Sequence, residues 1–321
     1  MAAHDVPTGS ERSRGGEVVG IAGLVHRFGA VTALDGIDLS IREGEFFGLL
    51  GPNGAGKSTL MSVLSGFLDA SGGVVEIAGV RASRSDPAWR GMLGSVPQSI
   101  ALYGELSAEQ NLRIFGSLYG LGGRFLRERV AEMLAAVRLD DRKRARVKTF
   151  SGGMQRRLNI AAALLHRPRV LLCDEPTVGV DPQSRHAIFE LLREVNRSGT
   201  TVVYSTHYME EAQALCGRIA IIDHGRILRL GTVAELLRVL PFEEEISCRR
   251  DVGDALRGVF GAHGDVLETD ERLVLRPRKE FRLSELFRDL EERNAPVEAV
   301  QLRRPSLEAV FLHLTGRNLR E

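Results

Sequence analysis

The segment Gly51-Pro-Asn-Gly-Ala-Gly-Lys-Ser-Thr59 decides the fold of this 321-residue chain. It follows the apolar run Phe46 to Leu50 and precedes a run through Leu68 that is compatible with a helix. A strand, a glycine-rich loop and a helix in this order form a phosphate-binding loop, because the loop N–H groups and the helix dipole both face an anion. A plain glycine-rich turn would not require the lysine and hydroxyl residues at these fixed positions.

The residues of this loop have distinct expected tasks. Its glycines let backbone N–H groups turn towards a phosphate. Lys57 is expected to reach the β- and γ-phosphates of a nucleotide, and the Ser58 hydroxyl is expected to ligate a Mg²⁺ ion that bridges them. The predicted nucleotide-binding residues of the loop are Gly51, Asn53, Gly54, Ala55, Gly56, Lys57, Ser58 and Thr59.

Two adjacent carboxylates end a second apolar run. Asp174 and Glu175 follow Val170 to Cys173, which places them at the carboxyl edge of a parallel sheet, where ligands collect. Asp174 is expected to hold the metal ion, and Glu175 to orient or deprotonate the attacking water. A solvated strand end would explain the pair equally well in isolation, but the phosphate loop upstream favours the catalytic interpretation.

Other polar residues remain ambiguous on local pattern alone. Ser151-Gly152-Gly153 precede the helical run Arg156 to Leu165, so they either form a second anion site or merely cap that helix. His207 follows the strand Thr201 to Tyr204 at another sheet edge. For His207, and for Gln98 and Phe28, ordinary structural roles are as compatible with the local pattern.

The order of elements predicts an α/β cassette. Short β-rich runs, including Val18 to Ile21 and Gly36 to Ile41, suggest an antiparallel sheet. From Glu45 onwards apolar strands alternate with helices, which is typical of a buried parallel sheet. One helix shows an apolar stripe at Leu126, Val130, Met133, Leu134 and Val137.

We divide the chain into three parts: a flexible tail over 1–16, a main domain over 17–240 and a small domain over 241–321. The small domain reads as strand, helix, strand, strand, helix, strand and helix, with strands predicted at Leu273 to Leu275 and Val297 to Leu302. A ferredoxin-like α+β unit is the simplest topology for that order.

The composition of the chain bears on its expected cellular compartment and on the partners that it can bind. The net charge is +1, from 43 basic and 42 acidic residues, which does not favour nucleic acid as a partner. Three widely spaced cysteines fit a reducing compartment, and no run approaches the roughly 18 apolar residues of a membrane helix. We therefore expect a cytosolic chain that neither spans a membrane nor is secreted.

Taken in order, these motifs resemble the motif series of ABC-type nucleotide-binding domains over residues 17–240. The residues that support the resemblance are Phe28, the loop 51–59, Gln98, Ser151 to Gly153, Asp174-Glu175, Gly179-Val180-Asp181 and His207. The sequence departs from the common pattern at Phe150 and Met154, where the family more often has leucine and glutamine. Both departures spare the phosphate-facing Ser151, Gly152 and Gly153.

The resemblance implies a P-loop ATPase with a parallel core sheet, an antiparallel β subdomain and a helical subdomain. It implies a head-to-tail pair of copies, in which Ser151, Gly152 and Gly153 of one copy close over Mg²⁺-ATP on the phosphate loop of the other. Phe28 would stack on adenine and Asp181 would link the two sites. The implied catalytic residues are Lys57, Gln98, Glu175 and His207, and the implied metal ligands are Ser58, Gln98 and Asp174.

The C-terminal segment Pro305 to Arg317, together with Val96 to Leu121, is similar to bacterial drug, antibiotic and lipid exporters of the daunorubicin-resistance type. A plain amphipathic C-terminal helix is the alternative for the first segment. Export implies a separate membrane permease, with this chain on the cytoplasmic side of the membrane. An ABC ATPase that acts on ribosomes or DNA is the rival function, and a ligand-binding regulatory role of the small domain could coexist with export.

Overall fold

The computed structural model describes residues 16–83, 87–240, 245–269, 272–278, 281–303 and 305–316. The chain groups into two compact units that divide between Thr232 and Val233, and each unit is described separately. The predicted boundary at 240/241 adjoins residues 241–244, which lie outside the described residues, and it stays a prediction. Residues 1–15 of the predicted tail also lie outside them.

The described residues form fourteen strands and ten α-helices. The strands are β1 (Glu17–Phe28), β2 (Val31–Arg42), β3 (Phe46–Leu50), β4 (Gly72–Ile77), β5 (Val80–Arg81), β6 (Leu93–Val96), β7 (Val170–Asp174), β8 (Thr201–Thr206), β9 (Arg218–Asp223), β10 (Arg226–Gly231), β11 (Glu245–Arg249), β12 (Gly264–Glu268), β13 (Arg272–Pro277) and β14 (Gln301–Arg303). The helices are α1 (Lys57–Leu64), α2 (Ala108–Leu118), α3 (Gly123–Ala136), α4 (Gly152–Leu164), α5 (Pro182–Arg197), α6 (Met209–Leu215), α7 (Val233–Leu237), α8 (Gly253–His263), α9 (Leu283–Glu292) and α10 (Leu307–Thr315).

A six-stranded sheet forms the centre of the first unit, in the order β10-β9-β3-β8-β7-β6. All of these strands are parallel except β10, which pairs antiparallel with β9 at the edge. Every residue of β3 and β8 is buried, as expected for strands covered on both faces. The predicted parallel α/β core is confirmed.

The register of this sheet brings distant segments to one edge. Leu50 at the end of β3 pairs with Thr206, and Asp174 at the end of β7 pairs with Ser205. Because β3, β7 and β8 are parallel and adjacent, the segments that follow all three leave at the same carboxyl edge. The phosphate loop, the two carboxylates and His207 are thereby neighbours.

Glycines set both ends of the phosphate-loop helix. Gly56 precedes α1 with φ +106°, and a β-carbon on Gly51 would collide with the carbonyl oxygen of Ile222. The helix was predicted to run through Leu68, but it ends at Leu64, and that part of the prediction is wrong. Gly66 adopts φ +72° against the Trp89 ring, which requires a turn rather than a further helical residue.

The first unit also contains the two predicted subdomains. An antiparallel sheet has the order β2-β1-β4-β5, with Val19 opposite Ile41. Helices α2 and α3 belong to the helical part, and the apolar stripe predicted for α3 is buried at Leu126, Val130, Met133, Leu134 and Val137. Both predictions are confirmed.

The second unit has the predicted ferredoxin-like topology. Its sheet has the order β12-β13-β11-β14, and all its strand pairs are antiparallel. Helices α8 and α9 connect these strands, and Leu286 and Leu290 of α9 join its apolar core. The strand predicted over Val297 to Leu302 is wrong in its first half, because Val297–Ala299 form a 3₁₀ turn after Pro296. Only Gln301–Arg303 form the strand.

Candidate active site

The phosphate loop opens onto a cavity of about 550 Å³. Lys57 is buried beneath it, and its Nζ donates to the carbonyl oxygens of Gly51 at 2.7 Å and Pro52 at 2.9 Å. These two bonds hold the ammonium group at the start of α1. The lining residues are Ala33, Asn53, Gly54, Gly56, Lys57, Ser58, Thr59, Gln98, Glu175, Val178, His207 and Tyr208.

The Glu175 carboxylate contacts the other three predicted catalytic residues. Lys57 Nζ lies 3.1 Å and His207 Nδ1 lies 3.2 Å from Glu175 Oε1. The amide of Gln98 donates to Oε2 at 3.2 Å. Glu175 is only 4% exposed, so a negative charge there depends on these partners for compensation. Residues up to 150 positions apart in sequence thus surround one buried carboxylate.

The backbone of Glu175 is held in an uncommon conformation. Its φ is +44°, a left-handed value that non-glycine residues rarely adopt and that costs about 1–3 kcal/mol. Ser205 of β8 stabilises it, because the Glu175 N–H donates to the Ser205 hydroxyl at 3.0 Å. That hydroxyl in turn donates to Asp174 Oδ1 at 2.6 Å. Ser205 therefore fixes the Asp174 carboxylate and the backbone of Glu175, and it was not predicted from the sequence.

The donor set beside the cavity fits a magnesium ion. Ser58 and Gln98 line the cavity, and the Asp174 carboxylate ends the adjoining strand. All three offer oxygen atoms, which Mg²⁺ prefers, and only Asp174 is a carboxylate, as is usual where phosphate and water supply further ligands. Among the described residues, no cluster of three His, Cys, Asp or Glu side chains could hold a metal alone. This pattern suits an ion that arrives with a nucleotide.

Ser151, Gly152 and Gly153 do not line the cavity of their own chain. Ser151 is the N-cap of α4 and accepts a bond from the Met154 N–H at 3.3 Å. Ser151 and Gly152 are exposed, whereas a β-carbon on Gly153 would collide with the Ser184 side chain. The start of α4 therefore exposes Ser151 and Gly152, as an anion site at a helix N-terminus requires.

Phe28 and Asp181 also lie outside this cavity. The Phe28 ring is 51% exposed and packs edge-on against His26, with ring centroids 4.5 Å apart. Asp181 caps α5 and accepts the Ser184 N–H at 2.9 Å. Hydrogen bonds from the Ser184 side chain and backbone lower the pKa of Asp181, so this carboxylate is charged.

Arg156 is a second residue that the sequence analysis missed. Its buried guanidinium donates to the carbonyl oxygens of Pro97 at 2.9 Å and Gln98 at 2.6 Å. It thereby ties α4 to the segment that presents Gln98 to Glu175. The sequence signal that could have identified Arg156 is its spacing of three residues from Gly153, since that spacing puts both residues on one helix face.

A family model for the ABC transporter matches residues 34–178. The linearmycin resistance ATP-binding protein LnrL of Bacillus subtilis strain 168 is 40% identical, over 92% of this chain and 97% of that protein. The daunorubicin resistance ATP-binding protein DrrA3 of Streptomyces coeruleorubidus is 41% identical, over 94% and 96%.

A solved structure supports the fold of the first unit. It is a dimeric ATP-binding cassette in a post-hydrolysis state bound to ADP and Pi, with a TM-score of 0.61 and 28% identity, over 67% of this chain and 98% of that chain. Together with identity near 40% along nearly the whole length of two curated proteins, this likeness extends well beyond a phosphate loop. The chain belongs to the ATP-binding proteins of ABC transporters.

Proposed function

We propose that this ABC ATPase powers the efflux of an antibiotic, drug or lipid-like compound through a separate membrane permease. The observation that supports the catalytic part is the convergence of Lys57, Gln98 and His207 on the Glu175 carboxylate at the phosphate-loop cavity. One ammonium group and two further polar side chains around one buried acid suit phosphoryl transfer, in which positioning and electrostatics supply most of the catalysis.

The phosphate loop and the predicted catalytic residues have separate tasks in ATP hydrolysis. The N–H groups of the loop 51–59 bind the phosphates, and Lys57 turns its ammonium group towards the β- and γ-oxygens. Glu175 accepts the proton of the attacking water or orients that water, and His207 contacts the γ-phosphate. The geometry of Glu175 suits this role, because its backbone is pinned from β8 by Ser205.

Ser58, Asp174 and Gln98 hold Mg²⁺ beside the phosphates in this proposal. When bound, the ion neutralises the charge that develops on the phosphate oxygens. Ser205 keeps the Asp174 carboxylate oriented towards the carboxyl edge of the sheet through its 2.6 Å hydrogen bond. Gln98 connects Glu175 to α4. Its side-chain amide donates to Glu175, and its backbone carbonyl accepts a hydrogen bond from Arg156.

A second copy of the chain completes each ATP site. Ser151, Gly152 and Gly153 lie outside their own cavity but present a helix start at the surface, which suits a γ-phosphate on the other copy. The dimeric cassette bound to ADP and Pi supports this arrangement by analogy. Phe28 offers an exposed ring for adenine, and Asp181 connects the two sites.

A membrane permease supplies the passage and holds this chain at the cytoplasmic face. No described helix is long and apolar enough to cross a bilayer. The segment from Gln98 to Leu121 exposes Tyr103, Leu118 and Tyr119, and exposed aromatic and aliphatic side chains of this kind suit a protein interface. Outward transport agrees with the names of two similar proteins, which are linearmycin and daunorubicin resistance proteins. This chain matches both along nearly their whole length.

An accumulation assay tests the proposed function. Daunorubicin-sensitive cells would express this chain together with a candidate permease, and cell fluorescence would report the retained drug. We expect less drug in cells with the wild-type chain than in cells with Glu175→Gln. Leu118→Asp should behave like Glu175→Gln if it loses the permease, whereas the exposed control Leu230→Asp should behave like wild type. Equal accumulation with the wild-type and Glu175→Gln chains would contradict drug efflux.

A further inference from the structure

A buried carboxylate lies behind the active site and contacts none of the residues assigned above to catalysis. Glu211 on α6 is only 3% exposed. Its Oε2 accepts hydrogen bonds from the Thr206 hydroxyl at 2.8 Å and the Tyr204 hydroxyl at 2.9 Å. Its Oε1 accepts one from the Thr177 hydroxyl at 2.8 Å. One side chain thus joins β8, α6 and the segment after Glu175.

The hydrogen bonds to Glu211 form a network with Thr177, Tyr204 and Thr206, and this network restrains the backbone on both sides of His207. Thr206 immediately precedes His207 and donates to Glu211, and the same hydroxyl accepts the Tyr208 N–H at 2.9 Å. The backbone on either side of His207 is therefore anchored to one hydroxyl, which is anchored to Glu211. Thr177 lies two residues after Glu175, so the same carboxylate also restrains the chain that leaves the catalytic acid.

The groups that surround the Glu211 carboxylate are hydroxyl donors and one cation. Burial raises the pKa of the Tyr204 hydroxyl, and the neighbouring Glu211 carboxylate raises it further, so Tyr204 stays a donor. Arg185 Nε lies 3.7 Å from Glu211 Oε1 and provides a nearby positive charge, while its guanidinium lies over the Tyr208 ring at 5.5 Å. Three hydroxyl donors and one nearby cation therefore hold the Glu211 carboxylate in place.

We propose that Glu211 is a positioning residue for ATP hydrolysis, which fixes His207 relative to Glu175 through Thr206 and Thr177. The inference rests on the proposed roles of His207 and Glu175. The 3.2 Å separation between His207 Nδ1 and Glu175 Oε1 is the geometry that the network maintains. Small displacements of catalytic groups cost up to about 100-fold in rate, so loosening this network should reduce turnover more than ATP binding.

Glu211→Gln tests the carboxylate, and the pair Thr206→Val and Thr206→Ser tests the connection to His207. Valine removes the hydroxyl with little change of shape, whereas serine retains it. Glu45→Gln is the matched control, because Glu45 is a largely buried glutamate that pairs with Arg218 at 3.2 Å at the start of β3. The measurements are kcat and KM for ATP, the Kd of a fluorescent ATP analogue, the thermal midpoint and the NMR signals of isotope-labelled histidine rings. A His207→Ala sample assigns the His207 signal.

We expect Glu211→Gln and Thr206→Val to lower kcat by about 10- to 100-fold while the Kd stays within about twofold. The His207 ring signal should shift or broaden in both variants and remain unchanged in Glu45→Gln, and Thr206→Ser should restore kcat and the signal. If Glu211→Gln does not fold, the Thr206 pair gives the same comparison.

An unchanged kcat in the folded variants would overturn the proposal. An unchanged His207 signal, with kcat falling only in step with the folded fraction, would overturn it as well. Failure of the proposed function can be distinguished from failure of the Glu211 proposal. It would appear as a wild-type chain without ATPase activity or as a His207→Ala variant with normal kcat. The ring signal still reports in that case whether Glu211 positions His207.

Discussion

Replacing Glu175 by glutamine is expected to stop ATP turnover while ATP binding persists. Glutamine has nearly the same shape and keeps an oxygen acceptor at the buried position that Lys57, Gln98 and His207 surround. It cannot accept the proton of the attacking water. General bases contribute about 10²- to 10⁴-fold to enzymatic rates, so kcat should fall by at least about 100-fold.

Phosphate release measures turnover, and the binding of a fluorescent ATP analogue measures nucleotide affinity on the same sample. Glu45→Gln serves again as a matched control, because it neutralises a largely buried glutamate away from the cavity. It should lower thermal stability without changing kcat by more than about twofold. A Glu175→Gln chain that hydrolyses ATP at the wild-type rate would exclude Glu175 from the role proposed here.

Replacing Lys57 by methionine is expected to abolish ATP binding at concentrations that saturate the wild-type chain. Hydrogen bonds to charged groups contribute about 1.5–3 kcal/mol each, so losing contacts to two phosphates should raise the Kd by at least about 100-fold. The Lys57 ammonium is already oriented by the Gly51 and Pro52 carbonyls, which reduces the cost of binding an anion.

The stability of this variant needs a separate control. Lys57→Met leaves the buried Glu175 carboxylate without the cation that lies 3.1 Å away, and breaking such a pair costs about 3–5 kcal/mol. In the double variant Lys57→Met/Glu175→Gln both charges are absent. We expect thermal unfolding to return towards wild type in the double variant, while binding of the ATP analogue stays lost. Restored binding would show that Lys57 acts through stability rather than through contact with phosphate.

Much of the fold follows from local sequence signals. The apolar runs of β3, β7 and β8 were predicted, because strands buried on both faces have continuous apolar sequences. Strands β6 and β10, which complete the same sheet, were not predicted. Leu93–Val96 is only four residues long, and Arg226–Gly231 is an exposed edge strand with two arginines. Neither has the apolar run that reveals a buried strand.

The parts of the site whose residues are adjacent in sequence could be predicted. The phosphate loop and the Asp174-Glu175 pair could be interpreted from residue types and spacing, whereas Gln98 and His207 required the family resemblance. Ser205, Arg156 and Glu211 were missed altogether. Each acts through partners that only the folded chain brings near, such as the Asp174 carboxylate for Ser205 and the Gln98 carbonyl for Arg156.

The central claim is that two copies of this chain share each ATP site, and mixing two inactive variants tests it most directly. Lys57→Met disables the phosphate loop, and Ser151→Arg blocks the exposed start of α4, so each variant alone should lack ATPase activity. A mixed dimer retains one site built from the intact loop of one copy and the intact Ser151 of the other.

Random mixing makes half of the dimers heterodimers, each with one of two sites intact, so phosphate release should recover to about a quarter of the wild-type rate. Ser151→Arg also removes a helix cap, which costs about 1 kcal/mol, and its fold is checked by the thermal midpoint. Recovery towards a quarter of the wild-type rate would support the shared site. A mixture no more active than its separate components would contradict it.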